Sequence, residues 1–309
     1  MSRGGGRTGG RGSASQPTSG ARRPGSSGGA IGRPRPGGRG PAAAAGAMWD
    51  RPAPPRGLDG TQVEGRQAVR ELLMAGHRKV RVVMMADGTD ESAILTEIEE
   101  LATEARVPIR RMHRDQIDAQ ARTEAPQGVI AQAAELREAD ADELLETHAD
   151  RPVPFILALD GLTDPRNLGA LLRSADGAGV TGVLLPRHRA VHVTPAVAKS
   201  AAGAIEHLPL AIVSGLPSFL LKAKEKGVWV IGLDADSPTT VFDLAHMADQ
   251  PVIVVVGAEG DGLSRLVRQR CDVIAAIPLR GRLASLNASV AGAVALFELG
   301  RHRQPAPLS

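Results

Sequence analysis

The pattern of apolar and polar positions becomes periodic at residue 57 and predicts a small α/β unit there. Apolar residues at helical spacing lead up to Gly76, which is a typical helix stop. Short apolar runs after each helix predict strands. In chain order the expected elements are a helix, a strand, a helix and two strands, at 63–76, 79–86, 91–107, 108–113 and 127–134. We therefore predict an αβαββ unit over residues 57–136.

A polar, acidic stretch at 137–152 predicts a linker with one helical turn, and a second domain follows over 153–303. The runs "VWVIGL" and "VIVVVG" in this domain are continuously apolar, as in a sheet that is covered on both faces. Alternating strands and helices predict a parallel α/β sheet. The expected strands are 154–159, 180–185, 208–213, 228–233, 251–256 and 273–277. The expected helices are 168–178, 195–204, 217–226, 263–270 and one that begins at about 288.

Residues 1–56 consist mainly of Gly, Arg, Pro, Ser and Ala without any period, and this composition predicts a disordered tail. The chain has a net charge of +3, but residues 1–49 hold eight Arg and no acidic residue. The remainder has 29 basic and 34 acidic residues and a net charge of −5. Any nucleic-acid surface on the folded part is therefore a local patch. Two roles for the tail stay open, phosphate binding through its arginines and solubility alone.

Composition also excludes several classes of protein. No apolar run reaches the length of a membrane span, and the first residues lack the apolar stretch of a secretory signal. A single cysteine, Cys271, cannot form an internal disulfide, so we expect a cytoplasmic protein with Cys271 as a small core residue. With no Tyr, four Phe and two Trp, RNA recognition by stacking on aromatic side chains is not expected.

Ligands of parallel α/β sheets bind beyond the carboxyl ends of the strands, which directs attention to the loop after strand 154–159. There, Asn167 stands where a helix N-cap is expected, and capping alone would explain it. Arg173 follows on the helix, where a pair with Asp176 would explain it equally well.

A glycine-rich loop after strand 251–256 reads "GAEGDGLSR" and allows a ligand to approach the backbone closely. It lacks the Lys-Ser/Thr of a phosphate loop and the dinucleotide fingerprint. Glu259 in this loop has a simple alternative role, beside the positive end of the helix that follows.

The loop before the last helix reads "LRGRLASLNAS". A helix cap needs only one of Ser285, Asn287 and Ser289. In an extended segment Ser285 and Asn287 would point to one side and Leu286 to the other, which suggests two ligands at this loop.

Together the three loops resemble, in order and spacing, the three motifs of the SpoU (TrmH-type) RNA 2′-O-ribose methyltransferases. The resembling segments cover nearly all of 153–302. They are "DPRNLGALLRSADGAGVTGVLLP", "VVVGAEGDGLSRLVRQRCD" and "IPLRGRLASLNASVAGAVALFE". The unit at 57–136, with "VEGRQAV" and "QGVIAQ", is similar to the substrate-binding domain of the 23S rRNA (guanosine-2′-O-)-methyltransferase branch.

The resemblance implies a SPOUT-type parallel sheet with a C-terminal trefoil knot, preceded by a small α/β RNA-binding domain. It also implies S-adenosylmethionine as methyl donor, RNA as substrate, with 23S rRNA favoured, and a homodimer whose interface helps to build the active site. Because the methyl group of this cofactor is already activated, the protein needs neither a metal nor a nucleophile of its own.

By motif position, the resemblance implies a catalytic set and a cofactor-binding set. The catalytic residues are Asn167, Arg173, Glu259, Ser285 and Asn287. The cofactor-binding residues, which act largely through main-chain groups, are Gly257, Ile277 and Leu286. Two roles stay open for Arg173, general base or electrostatic support of the ribose oxygen, because a guanidinium normally stays protonated.

Three alternative functions stay open. The same chemistry on tRNA, or on an rRNA site that confers antibiotic resistance, would use these same residues. A non-catalytic RNA-binding or ribosome-assembly protein is disfavoured because all five polar motif residues are present. A nucleotide-dependent oxidoreductase lacks its fingerprint here.

Overall fold

Two sheets organise the computed structural model, which describes residues 57–88, 92–188, 193–282 and 285–303. The predicted tail at 1–56 lies outside the described residues. We call the elements from Gln62 to Ala133 the small unit and those from Phe155 to Gly300 the large unit. The domain boundaries given above stay predictions.

The small unit is a four-stranded sheet, within the described residues, with strand order β1-β4-β2-β3. Strand β4 is antiparallel to β1 and β2, and β2 is parallel to β3. The elements are β1 (Gln62–Glu64), α1 (Arg66–Ala75), β2 (Val80–Ala86), α2 (Ala93–Glu104), β3 (Ile109–Met112), α3 (Arg114–Gln120) and β4 (Val129–Ala133). The five predicted elements are present, and Gly76 ends α1 in a left-handed conformation (φ 61°).

The large unit is a six-stranded parallel sheet, again counting only described residues, with order β10-β8-β9-β5-β6-β7. Its strands are β5 (Phe155–Asp160), β6 (Gly182–Pro186), β7 (Leu210–Val213), β8 (Trp229–Leu233), β9 (Val252–Gly257) and β10 (Val273–Ala275). Its helices are α4 (Pro165–Gly177), α5 (Pro195–Ser200), α6 (Leu216–Glu225), α7 (Arg265–Arg270) and α8 (Ala288–Gly300). The predicted parallel α/β class is confirmed, whereas the trefoil knot stays a prediction.

Both faces of the large sheet are buried. Along β5, Phe155, Leu157 and Leu159 pack into one apolar cluster, and Ile156 and Ala158 into the cluster on the opposite face. This two-sided burial explains why the central strands are apolar throughout. Among the helices that the structure describes, none is long and apolar enough to cross a membrane.

Several elements differ from the predicted ones. Strand β1 and helix α3 were not predicted, nor was a 3-10 helix at Val241–Met247. Strand β1 has three residues, too few to show a period, and it buries the polar Gln62 and Glu64. The linker contains the expected helical turn, at Glu143–Leu145.

A buried ion pair joins the two units. Arg78, before β2, donates from Nη2 to Glu206 Oε1 at 2.6 Å and from Nε to Glu206 Oε2 at 2.9 Å. The two side chains are only 4% and 1% exposed. Arg78 Nη1 also donates to the carbonyls of Gly60 and Ala134, so the guanidinium is bonded on both of its edges.

We expect Arg78→Met to lower the free energy of unfolding by about 3–5 kcal/mol, because the carboxylate of Glu206 stays buried without its cation. In the double variant Arg78→Met/Glu206→Leu most of this loss should be recovered. Arg111→Met, which breaks an exposed pair with Glu99, should cost less than about 1 kcal/mol. Urea unfolding of the three variants tests this, and equal losses for Arg78→Met and Arg111→Met would contradict it.

Candidate active site

A cavity of about 580 Å³ opens at the carboxyl ends of β8, β9 and β10. Its walls are the loops after these strands together with the start of α8. Six of the predicted site residues line it: Gly257, Glu259, Ile277, Ser285, Leu286 and Asn287. The three predicted cofactor residues thus line one cavity, where parallel sheets usually bind ligands. Its volume is in the range of small-molecule sites.

The wall of this cavity after β9 depends on glycine. Ala258 and Gly262 exchange two backbone hydrogen bonds of 3.0 Å, which fold the loop back on itself. A Cβ atom on Gly257 would lie 2.3 Å from the carbonyl of Gly262, so no larger residue fits there. Gly260 (φ 86°) and Gly262 (φ 64°) are left-handed, a conformation that glycine adopts without strain. Glycine therefore allows the tight turn with which this loop forms one wall of the cavity.

The charge of the cavity is negative. Of the described residues that line it, four are carboxylates and none is Lys or Arg: the acids are Asp234, Asp236, Glu259 and Asp261. One of them, Asp234, is paired with Arg268. A cationic ligand is therefore favoured at this site over an anionic one such as a nucleotide phosphate.

Asn167 connects the three loops through hydrogen bonds. Its Nδ2 donates to Glu259 Oε2 at 3.0 Å, and its Oδ1 accepts a bond of 3.0 Å from Asn287 Nδ2. The hydroxyl of Ser289 also donates to Asn167 Oδ1, at 3.4 Å. Because Asn167 is only 7% exposed, these bonds are shielded from water and fix its amide in one orientation.

The N-cap of α4 is not the predicted residue. Asp164, not Asn167, is the N-cap of α4, and its Oδ1 accepts from the backbone N–H of Arg166 at 2.8 Å. Pro165 then takes the first helical position, which suits its fixed φ. Asn167 lies within the first turn, so its side chain is available for the network. Asn287 caps α8 by accepting from the backbone N–H groups of Ser289 and Val290.

Ser289 belongs to this network and was not among the predicted site residues. It is buried, and its single hydroxyl hydrogen is shared between Asn287 Oδ1, at 2.6 Å, and the more distant Asn167 Oδ1, at 3.4 Å. Ser285 instead is exposed and lines the cavity. Leu286 and Asn287 line the same cavity, and Asn287 already turns the chain into α8 as its N-cap.

Arg173 is exposed on α4, and within a single chain it does not join the hydrogen-bond network around Asn167. It makes no hydrogen bond or ion pair with any residue that the structure describes, so the simple pair with Asp176 is absent. Six positions separate it from Asn167, which rotates it by about 120° around the helix. Arg173 is thus free to bind a group from outside this chain.

Cys271 is partly buried, and burial raises the pKa of its thiol to about 12, with the neighbouring Asp272 adding to the effect. The thiol therefore stays protonated at neutral pH and is a poor nucleophile. Among the described residues, no group of three or more His, Cys, Asp or Glu is arranged to hold a metal ion.

Comparison with known proteins decides the family. A putative TrmH family tRNA/rRNA methyltransferase of Bacillus subtilis, YacO, is 39% identical over 245 residues, which is 79% of this chain and 96% of that protein. The chain belongs to the SpoU rRNA methylase family. The model of this family matches residues 154–297, and a model of RNA 2′-O ribose methyltransferase substrate binding matches 62–139.

Other members of the SpoU family are similar over most of the chain. An uncharacterized tRNA/rRNA methyltransferase of Mycobacterium marinum is 39% identical over 260 residues, covering 84% of this chain and 83% of that protein. The crystal structure of the SpoU methyltransferase AviRb from Streptomyces viridochromogenes, in complex with AdoMet, has a TM-score of 0.63 and 26% identity. That match covers 78% of this chain and 89% of AviRb. The resemblance in the three motifs is therefore confirmed, and this protein is an RNA methyltransferase of the SpoU family.

Proposed function

We propose that this protein transfers the methyl group of S-adenosylmethionine to the ribose 2′-hydroxyl of a guanosine in 23S rRNA. The observation that carries the proposal is the network around Asn167, which joins all three motifs beside a cavity of suitable size. The substrate-binding model at 62–139 supports RNA as the substrate.

The residues of the cavity fit S-adenosylmethionine. Its sulfonium and ammonium groups are cationic, and they suit the carboxylates that line the cavity. Gly257 lets the loop that walls the cavity fold back on itself, because a Cβ there would collide with the backbone of Gly262. We propose that Gly257, Ile277 and Leu286 hold the cofactor. When bound, it supplies an activated methyl group, so the protein has only to position the acceptor and stabilise the charge that develops on its oxygen.

In the proposed reaction the 2′-oxygen forms a bond to the methyl carbon as the carbon–sulfur bond breaks, and the hydroxyl proton leaves to solvent. Arg173 stabilises the negative charge that develops on the oxygen. Asn167 and Glu259 orient Arg173 and the ribose, while Ser285 and Asn287 hold the substrate at the mouth of the cavity. In this role Arg173 stays protonated throughout, consistent with guanidinium chemistry.

A homodimer would place Arg173 at the active site of the partner chain. Apart from Ser289 and Glu298, helix α8 carries apolar residues around its whole circumference, a property of helices that are buried on every side. Yet Val290 and Phe297 are 48% and 50% exposed in the single chain. We propose that a second copy covers them. Phe297 packs against Gly177 of α4, so a partner seated on α8 also meets the helix that carries Arg173.

We expect Val290→Asp/Phe297→Asp to convert the dimer to a monomer, because two charges would be buried in the interface. Sedimentation equilibrium measures the mass. Met74→Asp is the matched control, since Met74 is equally exposed, at 50%, but lies on the small unit. A wild-type monomer, or an unchanged mass for the double variant, would contradict the proposed interface.

The choice of RNA is tested by methyl transfer from labelled S-adenosylmethionine to separate pools of unmodified 23S rRNA, 16S rRNA and tRNA. The proposal expects label in 23S rRNA alone. Label confined to tRNA or 16S rRNA would keep the reaction and overturn the substrate. Absence of label from every pool, despite cofactor binding by calorimetry, would favour a non-catalytic RNA-binding protein.

A further inference from the structure

A second cavity, of about 460 Å³, lies in the small unit, away from the site described above. Its wall is the loop 123–127 before β4, together with Arg66 at the start of α1 and two residues of α3, Arg114 and Asp118. None of these residues has a part in the proposed methyl transfer.

A buried carboxylate holds the loop of this cavity in place. Glu64 is 0% exposed, and its Oε1 accepts from Gln62 Nε2 and from the backbone N–H of Arg122, both at 2.7 Å. Its Oε2 accepts from the backbone N–H and the hydroxyl of Thr123, at 3.0 and 2.5 Å. A buried carboxylate is costly unless its hydrogen bonds are satisfied. These four bonds fix the position of the loop.

The guanidinium of Arg66 is also fixed in advance. Its Nε donates to the carbonyl of Gln127 at 3.2 Å and its Nη1 to the hydroxyl of Ser92 at 3.3 Å. Gln127 has a φ of 60°, which is unusual for a residue with a side chain. Its Oε1 accepts from the backbone N–H of Arg66 at 3.0 Å. Such backbone strain is concentrated at binding and catalytic sites. Nη2 of Arg66 has no partner among the described residues.

The chemistry of the cavity combines donors and acceptors. Arg66 and Arg114 supply positive charge, Asp118 and Glu124 supply acceptors, and the rest of the wall includes apolar groups. No aromatic residue is among the described residues that line it, so bases would be read by hydrogen bonds rather than by stacking. An unpaired base with a phosphate beside it uses both kinds of group, because the base edge donates to the carboxylates and the phosphate pairs with the arginines. A phosphate alone would pair only with the arginines.

We propose that this cavity, which we call the Arg66 pocket, binds one unpaired nucleotide of the RNA substrate. The inference rests on the proposed function, because it presupposes that RNA is the substrate. The Arg66 pocket would hold a nucleotide other than the one that is methylated, and so would contribute to the choice of target.

The Arg66 pocket is tied to the catalytic helix. Lys199 of α5 donates a hydrogen bond from Nζ to the carbonyl of Ala125 in the pocket loop. Next to it, Ser200 packs so closely on Gly169 of α4 that a Cβ on Gly169 would lie 2.3 Å from the Cβ of Ser200. Helix α4 carries Asn167 and Arg173. An RNA held in the pocket is therefore held at a set position relative to these two residues.

The test measures affinity for a fluorescent, mixed-sequence, single-stranded oligoribonucleotide by anisotropy over a series of salt concentrations, without cofactor. The pocket variant is Arg66→Met/Arg114→Met. The control, Arg81→Met/Arg110→Met, removes the same charge from exposed positions that do not line the pocket. We expect the pocket variant to raise Kd about tenfold or more and the control to raise it about threefold or less. Equal changes in the two variants would overturn the proposal.

Two further measurements separate the pocket from folding and from catalysis. Arg114→Met alone removes no hydrogen bond among described residues, so it should raise Kd about threefold or more with an unchanged melting temperature. The second measurement repeats the titration with inorganic phosphate as competitor. If phosphate abolishes the difference in Kd between the pocket variant and wild type, the site binds only anions and base binding is overturned. Because binding is measured without methyl transfer, pocket-dependent RNA affinity in a protein that methylates none of the three RNA pools would refute the proposed function and leave the pocket standing.

Discussion

Arg173→Lys is expected to lower kcat by about 10²-fold or more while the affinity for S-adenosylmethionine stays within about twofold of wild type. Lysine keeps the positive charge but loses the planar guanidinium, which can hold the ribose oxygen and a neighbouring phosphate at the same time. Arg173 does not line the cavity, so cofactor affinity should not follow the loss of turnover. Single-turnover methylation and calorimetry measure the two effects, and near-normal methylation would contradict any direct role for Arg173.

Mixing inactive variants shows whether Arg173 serves the site of its own chain or that of the partner. Arg173→Lys and Asn167→Ala are unfolded together, mixed in equal amounts and refolded. If Arg173 acts across the interface, half of the dimers are mixed and each contains one intact site, so about a quarter of the wild-type rate should return. If Arg173 acts within its own chain, no activity should return.

Asn167→Ala is the second substitution from which we expect a large effect, again about 10²-fold in kcat. Glu259 and Asn287 would lose their shared partner, and their positions at the cavity would no longer be fixed. The loss of buried hydrogen bonds should also cost about 1–3 kcal/mol of stability. Both effects are measured side by side, by methylation kinetics and by urea unfolding.

Ser174→Ala is the control on the same helix. Among the residues that the structure describes, its hydroxyl bonds only the carbonyl of Ala170, one turn earlier, and is not part of the network. We expect kcat within about twofold of wild type. Equal losses in Asn167→Ala and Ser174→Ala would mean that general damage to α4, rather than the network, explains the result.

Much of the fold could be predicted from the apolar pattern, because buried strands such as β9 are continuous apolar runs and amphipathic helices such as α1 carry a clear period. Strand β1 could not, since three residues show no period and two of them are buried polar groups. The start of α4 was placed three residues late. The pair Asp164-Pro165 was the signal that would have located it, as a cap followed by proline at the first helical position.

The candidate site was harder to predict from local pattern. Asn167 lies 92 positions from Glu259 and 120 from Asn287, and no spacing rule connects residues so far apart. The family resemblance joined the three loops, and the structure adds the hydrogen bonds among them. Ser289 was noted as a surplus hydroxyl in its loop, but only its contacts with Asn167 and Asn287 give it a place in the network.

The central claim is that the methyl group goes to a ribose oxygen of RNA. The most direct measurement is nucleoside mass analysis of RNA that has been incubated with the protein and S-adenosylmethionine carrying a deuterated methyl group. We expect the label in 2′-O-methylguanosine, released from 23S rRNA. Label on a nucleobase, or a protein that binds the cofactor and RNA yet transfers no methyl group, would contradict the account.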